Sequence, residues 1–370
     1  MRKIPVWLGG LLLTVLGQVS HAQILIGQTA GFTGPVGASV KEAAEGAKLY
    51  LDSINASGGV NGQKIELISL DDKFDPKLAF ENGRQLIEDK NVVAMFLTRG
   101  TPHTEALLPL LDKYGVPLIG PSSGAMVLHK PVKKHIFNVR GTYQLEAEKA
   151  MIYLHSRGIT RIGIVYADDS FGSDGVIGAQ KGLATVKLTP AVLEKFNRTA
   201  PDFAAITPKL AKANVQAVLM VASGQAVVDG VNAFRSAGST AQVVTLSNNA
   251  SSGFVKSLGQ NARGVIVTQV FPNERSVAFP MVKEAQDLAK VKGLTDVSPA
   301  TLEGFAAAKV LVESLRRAGP KPTRDKLQAT LENLRKLDIG GLEVSYGPDD
   351  HTGLDFVDLS IIGNDGKFKR

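Results

Sequence analysis

What most constrains this chain is a strict alternation: short apolar runs rich in β-branched residues, each followed by a longer stretch at helical spacing. Ile24-Leu25-Ile26 is followed, after a Gly-rich loop, by Val40, Ala43, Ala44, Ala47, Leu51 and Ile54, the i, i+3, i+4, i+7 stripe of an amphipathic helix. Gly58 and Gly59 close that helix, and Asn61-Gly62 turns the chain into a strand over 65–70. The pattern continues with a helix over 78–87, a strand over 92–96, a helix over 104–113 and a strand at 117–119. After a break near Arg140 a second series begins, with a helix over 146–155 and a strand over 162–166. It runs on through 176–183, 192–196, 203–213, 217–221, 226–237, 243–246 and 265–269. Strand after helix after strand predicts an α/β fold with doubly wound parallel sheets, and two series predict two such lobes. Ligands of open parallel sheets sit beyond the carboxyl ends of the strands, so a site in the cleft between the lobes is expected.

The first 22 residues read as a signal peptide: Arg2 and Lys3, an uncharged apolar stretch from Val6 to Gly17, then Ser20-His21-Ala22 as a small-x-small cleavage site. The mature chain is therefore expected to begin at Gln23 and to be periplasmic. With no cysteine in the sequence, there is no lipid-bearing residue, disulfide, thiolate nucleophile or Cys-based metal site. The formal charge is +7, with basic and acidic residues interleaved as in Arg324-Asp325-Lys326. No single-sign stripe tracks a phosphate backbone, so nucleic acid is not a predicted partner. The denser run from His129 to His135 reads as a solvated loop.

No zincin, nucleophile-elbow, Walker or dinucleotide motif is present, and the histidines are scattered. The chain reads as a non-enzyme with no cofactor and no metal site. Asp71-Asp72 at a strand end reads as a solvated or loop-capping pair. Two small polar loops follow strands instead: Thr98-Arg99-Gly100-Thr101-Pro102-His103-Thr104, and Gly120-Pro121-Ser122-Ser123-Gly124, the second expected just ahead of a helix N-terminus. Hydroxyls and glycine-flanked amides in such positions suit a carboxylate. Helix N-capping is the alternative for Thr104 and Ser122; Thr101 and Ser123 are the better candidates for ligand contact.

Four segments, in order along the mature chain, carry a family resemblance. They are Gly34-Pro35-Val36-Gly37 with the helix to Ile54-Asn55-Ala56-Ser57-Gly58-Gly59-Val60-Asn61-Gly62; Leu70-Asp71-Asp72 with Asp75-Pro76; Gly115-Val116-Pro117 to Gly120-Pro121-Ser122-Ser123; and Ile164-Val165-Tyr166 with Phe171-Gly172. In these the chain resembles a type I periplasmic solute-binding protein of the leucine/isoleucine/valine-binding family, which feeds ABC importers. The resemblance implies two lobes joined by three hinge crossovers: lobe one over 23–141 plus 269–346, lobe two over 142–268 plus 347–370. It also implies a monomer that captures a small carboxylate or amino acid and delivers it to an ABC permease in the inner membrane. A periplasmic sensor that signals to a membrane receptor is the alternative on the same fold.

The implied binding positions fall at Ser39 in the first loop, within Thr101 to Thr104 for the carboxylate grip, with Thr101 and His103 the two candidates and Gly100 a ligand-binding candidate beside them, and at Ser122, Ser123 and Gly124 after the next strand. A family aromatic is missing at Ser39. In lobe two, Phe171 matches an aromatic that closes over the ligand, while Ser223 and Ser247 stand where the family has a tyrosine and an acid for the α-ammonium. Tyr143, at the first crossover, is a further candidate, with a hinge or core role as the alternative for it and for Arg140. Without the acid at 247, the sequence favours a carboxylate lacking a free ammonium, with an amino acid as runner-up; Asp168 or Asp169 is the possible substitute acid.

Overall fold

The computed structural model describes residues 23–370; the leader expected over residues 1–22 and its cleavage site lie outside them. Five strands form the first sheet: β1 (Ile24–Ala30), β2 (Ile65–Asp71), β3 (Ala94–Phe96), β4 (Leu118–Ile119) and β5 (Ile136–Phe137), all parallel in the order β2-β1-β3-β4-β5. Helices α1 (Gly37–Ala56), α2 (Pro76–Arg84) and α3 (Thr101–Tyr114) connect them. The chain then crosses over and builds a second unit from α4 (Tyr143–Ser156), β6 (Ile162–Ala167), α5 (Ser170–Thr185), β7 (Val192–Phe196) and α6 (Phe203–Lys212). It continues through β8 (Ala217–Val221), α7 (Gln225–Ser236), β9 (Gln242–Thr245), α8 (Ser252–Leu258) and β10 (Ile266–Gln269).

From β10 the chain returns to the first unit with α9 (Pro280–Val291), α10 (Pro299–Ala318), α11 (Arg324–Glu332) and the short hairpin β11 (Leu337–Asp338) and β12 (Glu343–Val344). A third passage leads back to β13 (Asp358–Ile362) and β14 (Phe368–Lys369), and the second sheet runs β14-β13-β10-β9-β8-β6-β7. Two α/β lobes result, as the alternation predicts, and three chain passages join them, as the resemblance implies. The last two strands depart from the parallel rule: β13 lies antiparallel to β10, and β14 to β13.

Alternation along each strand feeds two cores per sheet, because successive side chains point to opposite faces. Ile24 and Ile26 join α1, α9 and α10 in one cluster, while Leu25 packs with α2 and α3 in another. Val218 and Met220 face α6 and α7, whereas Ala217, Leu219 and Val221 face α4 and α5. The His129–His135 run is not the solvated loop expected. Lys130 and Lys134 are exposed, but both histidines are buried, and the His135 ring shares a hydrogen bond of 3.1 Å with Gln328 of α11. The return of α11 to the first lobe covers this segment, and that long-range packing has no local sequence signal.

Candidate functional site

The carboxyl ends of β3 and β4 meet those of β6, β8 and β9 across the space between the lobes. After β3 the backbone turns through Leu97 and Gly100 at positive φ and enters α3 directly at Thr101. The Thr101 and Ser123 hydroxyls lie 2.8 Å apart, joining the two loops. Thr104 is not an N-cap: it lies inside α3, its hydroxyl 3.0 Å from that of Thr98. Ser122 is not one either, since its hydroxyl accepts from Arg99 Nη1 at 3.0 Å. The second loop does not precede an α-helix; only a single 3-10 turn, Met126–Leu128, follows Gly124. Gly124 is needed for space, because a Cβ there would lie 2.6 Å from the Gly141 carbonyl oxygen.

Asp71 and Asp72 cap the turn after β2, as read from the sequence. The backbone N–H groups of Lys73 and Phe74 donate to their carboxylates while both residues hold left-handed φ values, at a cost of order 1 kcal/mol each. The effect is to present the Phe74 ring, which stacks on His103 with centroids 4.2 Å apart. Burial pushes the His103 imidazole down to about 4, so it is neutral near pH 7. Arg198, from the second lobe, lies over Phe74 and also over Phe171; Phe171 meets Tyr143 edge-on at 4.9 Å. Rings and guanidinium groups thus line this side of the cleft in one continuous series.

Two buried arginines occupy the centre. Arg140 Nη2 donates to Glu146 Oε1 and to the Ser247 hydroxyl, its Nη1 lies 3.6 Å from Glu303, and its guanidinium covers the Tyr143 ring. Desolvation works against its charge, yet Tyr143, Glu146 and Glu303 hold it above the ordinary arginine range. Arg99 Nη2 donates to the Asn248 carbonyl across the cleft at 2.6 Å. Desolvation pushes this guanidinium below its ordinary value.

Ser39, Ser122, Arg99, Ser247, Asn248 and Glu303 surround about 10 Å³ of free space, about what one water molecule needs. The lobes are closed on each other. Gln225 N–H donates to the Pro35 carbonyl, Met126 N–H to Asp174, and the Ser252 and Gly253 N–H groups to Glu42.

Of the residues singled out from sequence, Thr101 and Ser123 meet directly, and Ser39, Ser122 and Ser247 share the small cavity. The Ser223 hydroxyl accepts from Asn248, and Gly100 packs against the His103 ring. Tyr143 and Phe171 lie in the second-lobe core with their rings in the aromatic series. Asp169 is not a free acid: it caps α5 through Gly172 N–H and pairs with Arg198. Asp168 pairs with Lys195 at the half-exposed rim. Glu146 and Glu303 were not anticipated. Each is an acid on the buried face of a helix, beside Ala147 and Ala150 or Leu302 and Ala306, and a charge interrupting an apolar stripe is the signal that points to them.

No group of three or more acids, histidines or cysteines is placed to hold a metal ion among the described residues. No helix among them is long and apolar enough to cross a membrane.

The model of the periplasmic binding protein family matches residues 23–357. Among curated proteins, the Leu/Ile/Val-binding protein BraC3 of Rhizobium johnstonii is 24% identical over 335 residues, covering 89% of each chain. The leucine-, isoleucine-, valine-, threonine- and alanine-binding protein of Pseudomonas aeruginosa is 25% identical over 314 residues, 84% of this chain and 82% of that one. Among solved structures, a substrate-binding periplasmic protein from Ralstonia solanacearum superposes with a TM-score of 0.86 at 30% identity, covering 94% of this chain and 99% of that one.

Proposed function

We propose a role that proceeds from one premise, that the chain belongs to the periplasmic binding protein family. It is an exported receptor that closes its two lobes around a small carboxylate-bearing molecule and hands it to an ABC permease in the inner membrane. The observation that carries this is the pairing of Arg99, Ser122, Thr101 and Ser123 at the carboxyl ends of β3 and β4, opposite Ser247 and Asn248 of the other lobe. Hydroxyls and a guanidinium converge there, and both lobes contribute. The Thr101–Ser123 hydroxyl pair is the proposed grip, Ser39 and Gly124 shape the floor, and Phe171 with Tyr143 forms the lid. The relatives named for binding leucine, isoleucine and valine support a ligand of amino-acid size.

Three measurements test the reading. The exported protein has an intact mass beginning at Gln23, and retention of Met1 in the periplasmic fraction contradicts export by cleavage after Ala22. A thermal-denaturation screen against small carboxylates and amino acids identifies at least one stabilising ligand, worth about 2.7 kcal/mol at a hundredfold excess over Kd. Uptake of that ligand by whole cells then falls when the gene is deleted. Unchanged uptake with a confirmed ligand favours the sensor reading over transport.

A further inference from the structure

We infer that the cleft selects an organic carboxylate carrying no ammonium group, and that Arg99 is the residue that sets this choice. The inference rests on the binding reading above and names its ligand class. The two buried guanidinium groups differ in what they face. Arg140 is matched inside the protein by Glu146 and Glu303. Arg99 has no carboxylate in ion-pairing range among the described residues: its two terminal nitrogens go to the Ser122 hydroxyl and the Asn248 carbonyl, both neutral acceptors. A buried cation with no carboxylate in direct contact is costly even with Glu303 on the same cavity wall, and an entering carboxylate relieves that cost with two parallel charge-assisted hydrogen bonds.

An α-ammonium would need a free acid in the same cleft, and the acids there are engaged. Glu146 accepts from Arg140, from the Ser247 N–H and from the Thr268 hydroxyl. Asp169 is held by Gly172 and Arg198, Asp174 by Gln144 and Met126, and Glu105 by Ser170. Asp174 Oδ2 and Glu303 Oε1 are buried oxygens without a hydrogen-bond partner, but of these two acids only Glu303 lines the cavity beside Arg99, and its Oε1 lies 3.6 Å from Arg140 Nη1, which also lacks one. A ligand hydroxyl that reaches both atoms from the cavity side would donate to the carboxylate and accept from the guanidinium. An ammonium has no lone pair to accept with, and it would be forced against a like charge. The corner therefore admits a hydroxy acid or a plain acid and disfavours the amino acid of the same skeleton.

Calorimetry on the full mature protein decides between them, with phenylalanine, 3-phenyllactate and 3-phenylpropionate as one series. Leucine, 2-hydroxy-4-methylpentanoate and 4-methylpentanoate form the other. The expected result is that within a binding series the two amine-free acids bind about a hundredfold more tightly than the amino acid. An amino acid that binds as tightly as its amine-free partners overturns the inference while leaving the binding reading intact. If none of the six binds, small molecules retained by the purified protein are released and identified by mass spectrometry. A retained acid without an amine supports the inference, and a retained amino acid overturns it. No retained molecule and no binding sinks the binding reading itself. Arg99→Gln is expected to lose about a hundredfold in affinity for the acid and Arg99→Lys to recover part of it, with thermal midpoints confirming that each variant folds. Full affinity in a folded Arg99→Gln protein removes Arg99 from the role.

Discussion

Gly224, a single residue of the second lobe, controls whether the lobes can meet. It holds φ at +54°, and a Cβ there would lie 1.9 Å from the Pro35 carbonyl oxygen of the first lobe. Gly224→Ala strains the backbone locally as well as clashing between the lobes; it is expected to lower the thermal midpoint modestly and to weaken binding of an identified ligand at least tenfold by blocking closure. Unchanged affinity in calorimetry contradicts this placement. At this scale the sequence was legible where a residue's chemistry is local and opaque where it depends on distant partners. The hydroxyls of Thr101 and Ser123 could be read from two loops after strands, because the loop composition itself announces them. Arg99 in the same loop could be seen, but its pairing with neutral acceptors rather than a carboxylate could not, since that depends on Asn248, which is 149 positions away. The possible acid at Asp169 failed because Arg198, on another loop, occupies it.

Helices α1 and α10 approach backbone to backbone. A Cβ on Gly304 would fall 1.7 Å from the Ala43 carbonyl oxygen, and one on Gly46 would fall 1.9 Å from that of Thr301. Gly304→Ala is expected to cost about 2–3 kcal/mol of stability in urea denaturation, the upper range for overpacking, because backbone cannot rotate out of the way as a side chain can. A loss below 0.5 kcal/mol, the usual scatter of a neutral substitution, argues against so close a contact.

A second element contact links the lobes away from the cavity. The Glu42 carboxylate of α1 accepts from Ser252 N–H at 2.9 Å and Gly253 N–H at 2.7 Å, at the start of α8. Anions are favoured at helix N-termini, so Glu42→Gln is expected to weaken ligand binding severalfold through the closed state alone; a wild-type affinity contradicts that. Most elements were legible because helical and strand periodicities differ, and α1, β6 and β8 follow their patterns closely. The antiparallel β13 and β14 were not, because edge pairing depends on where the third passage returns the chain.

Across the whole molecule, two sets of buried groups oppose each other in mild acid. Burial raises the Asp72 and Asp174 carboxyls to about 6 and lowers the His103 and His129 rings to about 4. The raised acids hold protons in the native state that the unfolded chain releases, so their contribution falls as pH rises from about 4 to 6. The lowered histidines stay neutral when the unfolded chain would charge, so theirs falls as pH drops from about 6.5 to 4. The slopes cancel, and unfolding free energy is expected to vary little between pH 4.5 and 6.5. The double variant Asp72→Asn/Asp174→Asn should lose stability on acidification where the wild type does not, and a variant equally flat in urea titrations contradicts the assignment. Arg99, Glu42 and Pro35 of one lobe all touch the other, so binding and shape change are expected to occur in one event. Small-angle scattering with and without a saturating ligand tests that most directly. A smaller radius of gyration with ligand bound is the predicted result, and an unchanged radius at full occupancy contradicts a cleft that closes on its ligand.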